Sequence, residues 1–241
     1  GAAHACGLEG SKVWCWGRGK SGQLGEGETA TRKKPVQVRS KESFTAVAAG
    51  DDHTCALNAA GKAFCWGDGF SGQLGFGSND QVPEPVGVSG QTRFSAIVAG
   101  GKHTCAIAAS EKAFCWGANE SGQLGDGSKN DRTSPTAVAT GETFAALTAG
   151  AAHTCGVTSA GDAVCWGENK AGQLGDGSNT NRTKPVAVPA AGRFRSLSAG
   201  ASHTCGLTAG GEVLCWGGNA QGQLGDGGTE GRSSPAPVRA N

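Results

Sequence analysis

The chain has 241 residues, including 43 glycines and ten cysteines, and contains neither methionine nor tyrosine. Its formal net charge is +1, so no strong electrostatic field favours DNA, RNA or an anionic membrane, and we expect no nucleic-acid partner. No apolar run approaches the roughly 20 residues that span a bilayer, and no signal peptide is visible. Because the first residue is Gly1, we expect the sequence to begin inside a longer or processed chain.

Five tandem copies of one repeat of about 50 residues make up the chain. Each copy contains a His-x-Cys triplet, a Cys-Trp-Gly triplet and a Gly-Gln-Leu-Gly segment. The histidines that mark the period are His4, His53, His103, His153 and His203. So constant a period predicts one supersecondary unit per copy, each packed on its neighbours.

Segments within each copy are too short for helices and carry strand-forming residues. In the fourth copy, in chain order, 144–150, 153–157 and 163–167 are predicted as strands, and 185–188 follows a Gly-rich loop as a short fourth strand. Four strands in each repeat of this length predict an all-β fold built of propeller blades. A solenoid of stacked β-turns is the alternative.

Two segments of each copy resemble a known family. The loop Gly-x-Asn-x-x-Gly-Gln-Leu-Gly-x-Gly, found at 117–127, and the Ala-Gly-x-x-His-Thr-Cys segment before it are similar to the repeats of the RCC1 (regulator of chromosome condensation) family. This resemblance covers essentially the whole chain. It implies a β-propeller, most often of seven blades. Members include an exchange factor for a small GTPase, a bacterial inhibitor of β-lactamases and many interaction modules, so no single function is implied.

We therefore expect a single RCC1-like propeller domain over 1–241, with repeats at about 1–49, 50–99, 100–149, 150–199 and 200–241. The start of the sequence aligns with the segment beginning at Gly150, so the Phe-x-x-Leu-x-Ala strand that precedes the other histidines is missing before His4. Two hypotheses account for this. Either the five repeats belong to a longer chain, such as a seven-bladed ring, or the ring is closed by other means.

The cysteine spacing indicates that two cysteines of each copy face each other across a hairpin. In copies two to five they are ten residues apart, which fits a three-residue loop such as 59–61, ending in a glycine. Glu111 holds that last position in the third copy and must adopt a left-handed conformation or use another turn. The first pair is nine residues apart and fits a two-residue type II′ turn at Gly10-Ser11.

Both turns place the cysteines at a non-hydrogen-bonded site, where Cα atoms about 4.5 Å apart can be bridged. The predicted disulfides are Cys6–Cys15, Cys55–Cys65, Cys105–Cys115, Cys155–Cys165 and Cys205–Cys215. Zinc is disfavoured because each copy offers two thiolates and one His without a Cys-x-x-Cys cluster. Reduced core cysteines in a cytosolic protein are the remaining alternative. Five disulfides predict an oxidising location: extracellular, at the cell surface or periplasmic.

The recurring polar and aromatic residues are predicted to be structural. Each repeated His is expected to bond local backbone, and each Trp of the Cys-Trp-Gly triplets to fill the core between blades. Ion pairs within the loops are expected between Asp126, Asp176 and Asp226 and the arginines six residues later, with calcium as a weaker alternative. No nucleophile, base and orienting residue stand apart from the repeat, so we expect no catalysis, no metal and no cofactor.

The second copy departs most from the others. Phe70 and Val82 replace residues that are polar or charged in most copies, and Phe76 replaces a carboxylate. Three apolar substitutions in one loop predict a partner-contact patch. Packing against another part of the same chain is the alternative.

Two sequons, Asn119-Glu-Ser and Asn181-Arg-Thr, would accept a glycan in a glycosylating secretory pathway. Asn119 is also the asparagine of the repeated loop, so a structural role for its side chain competes with glycosylation.

These features favour a non-enzymatic, extracytoplasmic interaction or structural propeller that binds a protein partner, or another copy of itself, through its loop face. An inhibitor or receptor-like binder similar to the β-lactamase-inhibitory member is the second hypothesis. A guanine nucleotide exchange factor for a small GTPase is the third. It conflicts with the disulfides because small GTPases are cytosolic, and no copy carries an inserted hairpin.

Overall fold

The computed structural model describes residues 1–189 and 192–239. These residues contain nineteen strands and no helix, so no helical segment among them could cross a membrane. The strands pair antiparallel and lie side by side in chain order within each sheet. Five separate small sheets are the blades of a propeller, as predicted, and not the continuous stack of a solenoid.

The strands are distributed as follows. Sheet 1 contains β1 (His4–Glu9), β2 (Lys12–Gly17) and β3 (Arg32–Gln37). Sheet 2 contains β4 (Phe44–Ala49), β5 (His53–Asn58), β6 (Ala63–Gly67) and β7 (Val82–Gly87). Sheet 3 contains β8 (Phe94–Ala99), β9 (His103–Ala108), β10 (Ala113–Gly117) and β11 (Arg132–Ala137). Sheet 4 contains β12 (Phe144–Ala149), β13 (His153–Thr158), β14 (Ala163–Gly167) and β15 (Arg182–Ala187). Sheet 5 contains β16 (Phe194–Ala199), β17 (His203–Thr208), β18 (Val213–Gly217) and β19 (Arg232–Pro237).

Each four-stranded sheet takes its first strand from the end of the preceding sequence repeat. The predicted strands of the fourth copy are present, but the last one begins at Arg182 instead of Pro185, because Arg182 pairs with Gly167 across a bulge. Pro185 lies inside this outer strand, whose outer edge has no neighbouring strand in the sheet, so a residue without a backbone N–H is tolerated there. The outer strands of all five sheets contain proline, which blunts their exposed edges.

The described residues form two compact units. One comprises Gly1–Ala118 and Asn130–Ala137 and holds sheets 1 to 3; the other comprises 119–129 and 138–239 and holds sheets 4 and 5. The expectation of a single domain over 1–241 stays a prediction, and residues 190–191 and 240–241 of that range lie outside the described residues.

The ten cysteines form five disulfides, in the same pairs that the hairpin register predicted, with Cα atoms 4.1 Å apart. The turns explain why the register survives a change in length. Gly61 closes the longer hairpin at φ +73°, and Glu111 adopts the same left-handed region at φ +61°. In the shorter hairpin Gly10 takes φ +61°, and Glu9 pairs with Lys12 across the two-residue turn.

The core of each unit lies where the loop of one repeat packs on the sheet of the next. Leu24 and Val38 from the first repeat pack with Phe44 and Trp66 of sheet 2. Leu174 makes the corresponding contact with Phe194 and Trp216 of sheet 5. The Leu of each of these loops and the Trp of the sheet that follows it are therefore core residues between neighbouring sheets.

Candidate functional site

The Gly-Gln-Leu-Gly loops are joined to the following sheet by a repeated pair of hydrogen bonds. The Gln23 carbonyl accepts one bond from Trp66 Nε1–H at 3.0 Å and another from the Thr54 hydroxyl at 2.9 Å. The same arrangement recurs at Gln73, Gln123 and Gln173. Gly25 permits this close approach, since a Cβ there would lie 2.6 Å from Trp66 Nε1. These loops are built to bind a tryptophan of the next repeat, not a phosphate.

His4 and His53 bond a threonine of the next repeat, whereas a bond to local backbone was expected. His4 Nε2 lies 2.9 Å from Thr54 Oγ1, and His53 Nε2 lies 2.9 Å from Thr104 Oγ1. The Thr54 hydroxyl already donates its hydrogen to the Gln23 carbonyl. His4 Nε2–H must therefore be the donor, which fixes the tautomer of the neutral ring.

Burial keeps these histidines neutral. Loss of hydration is the main cause that lowers the pKa of His53 to about 3, and the nearby His103 and His4 contribute to the same shift. Burial likewise lowers the pKa of His103, and of His4, to about 4. A buried neutral imidazole that bonds a threonine hydroxyl acts as a structural element that joins one repeat to the next.

Ion pairs organise the long loops that follow the Gly-Gln-Leu-Gly segments. Arg182 lies 2.8 Å from Asp176, and the corresponding pairs Arg232–Asp226 and Arg32–Glu26 measure 2.7 and 2.6 Å. Partial burial acts to raise the pKa of Asp176, but hydrogen bonds from Ser178 and Arg182 outweigh it and lower that pKa. The oxygens that calcium would need thus serve as acceptors for neighbouring side chains.

The three apolar residues of the second repeat have different environments. Phe76 and Val82, which stand where other repeats have the ion pair, are half-buried against a core cluster that includes Leu74 and Trp116. An apolar pair thus takes the place of an ionic one. Phe70 is 71% exposed. The predicted three-residue contact patch is corrected to Phe70 alone, because the other two side chains pack against the core.

The two sequons also differ. Asn119 is fully buried; its Nδ2 donates to Asp126 Oδ1 at 3.1 Å, and its Oδ1 accepts the amide of Leu124 at 3.0 Å. The prediction of a glycan at Asn119 is wrong for the folded chain, because the nitrogen that would carry the sugar is enclosed. Asn181 is half-exposed and accepts a hydrogen bond from the Asn169 amide at 2.9 Å. Glycosylation there stays a prediction.

The Trp of sheet 1 departs from the prediction that each Trp of the Cys-Trp-Gly triplets fills the core between blades. Trp16 is 37% exposed, whereas the corresponding Trp66 of sheet 2 is fully buried. The groove beside it, called here the sheet-1 groove, is lined by Gly7, Leu8, Glu9, Trp14, Trp16 and Pro35. In sheets 2 to 5 the first strand of the sheet occupies the equivalent place.

The family model for the RCC1-like domain matches residues 1–241. The chain belongs to the RCC1-like domain family.

Two curated relatives match parts of this RCC1-like chain. It is 38% identical over 64 residues to the ultraviolet-B receptor UVR8 of Arabidopsis thaliana, which is 25% of this chain and 14% of that protein. It is 40% identical over 52 residues to human protein RCC2, covering 21% of this chain and 10% of that protein. The matched segments are a small part of either relative.

Solved structures share the fold over nearly the whole chain. Human WBSCR16 has a TM-score of 0.89 at 24% identity, covering 99% of this chain and 65% of its own. Prp20p of Saccharomyces cerevisiae has a TM-score of 0.86 at 23% identity, with 100% and 62% covered. The ectodomain of the Arabidopsis thaliana receptor kinase ACR4 has a TM-score of 0.57 at 24% identity, with 99% and 64% covered. The chain spans less than two thirds of each, and these identities show the fold alone.

The different environments of Phe70 and Phe76 predict different effects on stability. Phe76→Ser should lower the free energy of unfolding by about 1–3 kcal/mol, because a polar group replaces a ring packed on the core. Phe70→Ser, the matched control, should change it by less than about 0.5 kcal/mol. Urea denaturation of the oxidised proteins measures both, and equal losses would contradict the assignment of Phe76 to the core.

The buried histidines predict a loss of stability in mild acid. Their pKa values are lower in the folded than in the unfolded chain, so the unfolded state binds more protons as the pH falls below about 6.5. The free energy of unfolding should be constant above about pH 7 and should fall from there towards pH 4. Urea midpoints at several pH values test this. A constant midpoint down to about pH 5 would contradict it, because a carboxylate with a lowered pKa, such as Asp176, contributes to the loss of stability only below about that pH.

Proposed function

We propose that this RCC1-like chain is a non-enzymatic interaction module that works outside the cytoplasm and binds a protein partner, or a second copy of itself, through the loop of sheet 2 that carries Phe70. The observation that carries the proposal is the position of this ring. It is the most exposed large apolar side chain among the described residues. A single exposed aromatic residue is the kind of anchor on which protein interfaces depend.

The local structure supports a role for Phe70 in contact with another molecule. Its amide donates to Asp68 Oδ1 at 3.2 Å, which holds the loop in a tight turn and leaves the ring outside. The equivalent positions in the other repeats are Lys20, Glu120, Lys170 and Ala220. The fold thus accepts charged or small residues here, and the phenylalanine is not required for packing.

Proteins with this fold bind other proteins. Yeast RCC1 (Prp20) has been crystallised bound to Kap60, and its binding to Gsp1p and histones has been described. These partners belong to Prp20; for this chain they support only the expectation of a protein partner. The five disulfides argue against a cytosolic GTPase as that partner, because thiols are kept reduced in the cytosol.

The disulfides and one group of similar structures support a location outside the cytoplasm. Each sheet carries one disulfide, and Cys55 and Cys65 have no exposed surface. The ACR4 ectodomain and the ectodomain of the Physcomitrella patens receptor kinase CR4 share the fold. This similarity favours a receptor-like or inhibitory binder as the second candidate function.

Site-specific cross-linking tests the proposed contact. A benzophenone amino acid placed at Phe70 in the full chain, expressed in its source cells, should give a defined adduct on irradiation. The same amino acid at Lys170, the equivalent loop position of the fourth repeat, is the matched control and should give little adduct.

An adduct of twice the chain mass would identify a second copy, and one of another mass a different protein. Adducts of equal yield from both positions, or none from Phe70, would contradict the proposal.

Thiol trapping tests the location. Protein taken from its source cells into acid and alkylated without reduction should carry no alkylated cysteine, because all ten form disulfides. Reduction before alkylation is the control and should modify all ten. Alkylation of ten cysteines without reduction would overturn the extracytoplasmic assignment.

A further inference from the structure

A small cavity lies at the end of sheet 2 where β6 begins and β7 ends. It is lined by Phe64 and Gly87, which pair with each other across these two strands, and by the segment 88–94 that leads to β8. Its volume is about 200 Å³, and we call it the sheet-2 cavity. A cavity of about 150 Å³ accepts benzene, so this one has room for the ring of one phenylalanine.

Gly87 leaves open the space beside the Phe64 ring. An added Cβ at Gly87 would lie 3.9 Å from Phe64 Cε1, so a side chain at this position would pack against the ring. The φ angle of Gly87 is not in the left-handed region, so the backbone does not require a glycine here. The other repeats carry a side chain at the equivalent positions Gln37, Ala137, Ala187 and Pro237. The fold itself thus accepts a side chain where the second repeat has none.

The second repeat therefore departs from the pattern at both ends of sheet 2. Phe70 comes shortly after β6 ends at Gly67, whereas the cavity lies where that strand begins at Ala63. Four residue steps of about 3.3 Å separate these ends by about 13 Å. The hydrogen bond from the Phe70 amide to Asp68 holds the ring at the far end. The exposed ring cannot enter the cavity of its own chain, but the ring of a second copy can.

The charges around the two features are opposite in sign. The loop 68–81, which carries Phe70, contains Asp68 and Asp80 and has no lysine or arginine. The described lining of the sheet-2 cavity includes Lys62 and Arg93, both exposed, and no acidic residue. Opposite charges on two surfaces attract each other and favour one relative orientation. The loop end of one copy is therefore complementary to the cavity end of another.

We propose that copies of the chain associate head to tail, with Phe70 of one copy inserted in the sheet-2 cavity of the next. The incoming ring packs beside Phe64, and the two carboxylates of its loop face the two cations of the cavity. This inference rests on the contact proposed for Phe70 and assigns that contact to a second copy. Each copy in a pair keeps one unused ring or cavity, so association continues beyond a dimer.

A second copy accounts for more of the structure than other occupants do. A different protein that binds Phe70 leaves the glycine at position 87 without a role, since Gly87 lies at the other end of the sheet. A small ligand in the cavity leaves the exposed Phe70 without one. Head-to-tail association uses both departures of the second repeat in a single contact.

Sedimentation of the full oxidised chain over a range of concentrations tests the association. One inserted side chain makes a small interface, so we expect a dissociation constant on the order of 0.1 mM. The average mass should rise with concentration past that of two copies, because a head-to-tail contact does not close at a dimer. High salt should weaken the association, because it screens the charges at the rim.

Two variants remove the ring and the cavity separately. Phe70→Lys introduces the residue found at Lys20 and Lys170, and Gly87→Gln introduces the residue found at Gln37. Both should fold, because other repeats carry these residues at the same places. Each should raise the dissociation constant at least about tenfold.

The matched controls change the equivalent positions of the third repeat. Glu120→Lys corresponds to Phe70→Lys, and Ala137→Gln corresponds to Gly87→Gln. Both controls should associate like the original chain.

A mixture of the two variants provides the decisive measurement. Phe70→Lys keeps its cavity, and Gly87→Gln keeps its ring, so one of each can form a single contact. The resulting pair has neither a free ring nor a free cavity. The mixture should therefore give dimers of one copy of each variant, with an affinity close to that of the original contact, and nothing larger.

Four results would overturn this inference. A chain that stays monomeric at about 1 mM would do so while leaving the contact of Phe70 with another protein to the cross-linking test. Association that is lost in Phe70→Lys but kept in Gly87→Gln would retain a second copy at Phe70 and exclude the cavity. A mass that levels off at two copies would indicate a symmetric contact. A mixture of the variants that forms no dimer would exclude the ring and the cavity as partners.

Discussion

One repeated contact holds neighbouring sheets together: the backbone carbonyl of a loop glutamine accepts hydrogen bonds from the tryptophan and the threonine of the next repeat. At Gln23 the donors are Trp66 and Thr54, and the threonine in turn accepts a bond from His4. All of these groups are buried, where a lost partner costs about 1–3 kcal/mol. The histidine, threonine, tryptophan and loop glycines therefore recur together, because each is needed by a residue of an adjacent repeat.

This constraint explains which positions can change without harm to the fold. Phe76 and Val82 stand where other repeats have a loop ion pair, and both pack against the core instead. Phe70 lies outside the repeated contact, so its chemistry is set by something other than packing. Departure from the repeat pattern thus identifies residues that are candidates for a role in function. Exposure then separates a candidate contact residue from a substituted residue that packs in the core.

Sheet 1 shows the consequence of losing the incoming contact. No preceding loop covers Trp16 and no strand lies beside β1 among the described residues, so an apolar groove and a strand edge are both accessible. The Cys6–Cys15 disulfide joins β1 to β2 within this sheet. It holds the register of a strand that is hydrogen-bonded on one side only among the described residues.

The sequence by itself determined the features that depend on local spacing. The period, the strands and the cross-strand cysteine pairs follow from residues within one repeat, because turn length sets hairpin register. Only the tertiary structure decided the partners of the histidines, the burial of Asn119 and Phe76 and the exposure of Phe70. The partner of each of these histidines is a threonine about 50 residues away along the chain. The burial or exposure of the other side chains depends on how loops and strands pack in three dimensions. Spacing along the chain carries no information about which side chains such packing encloses.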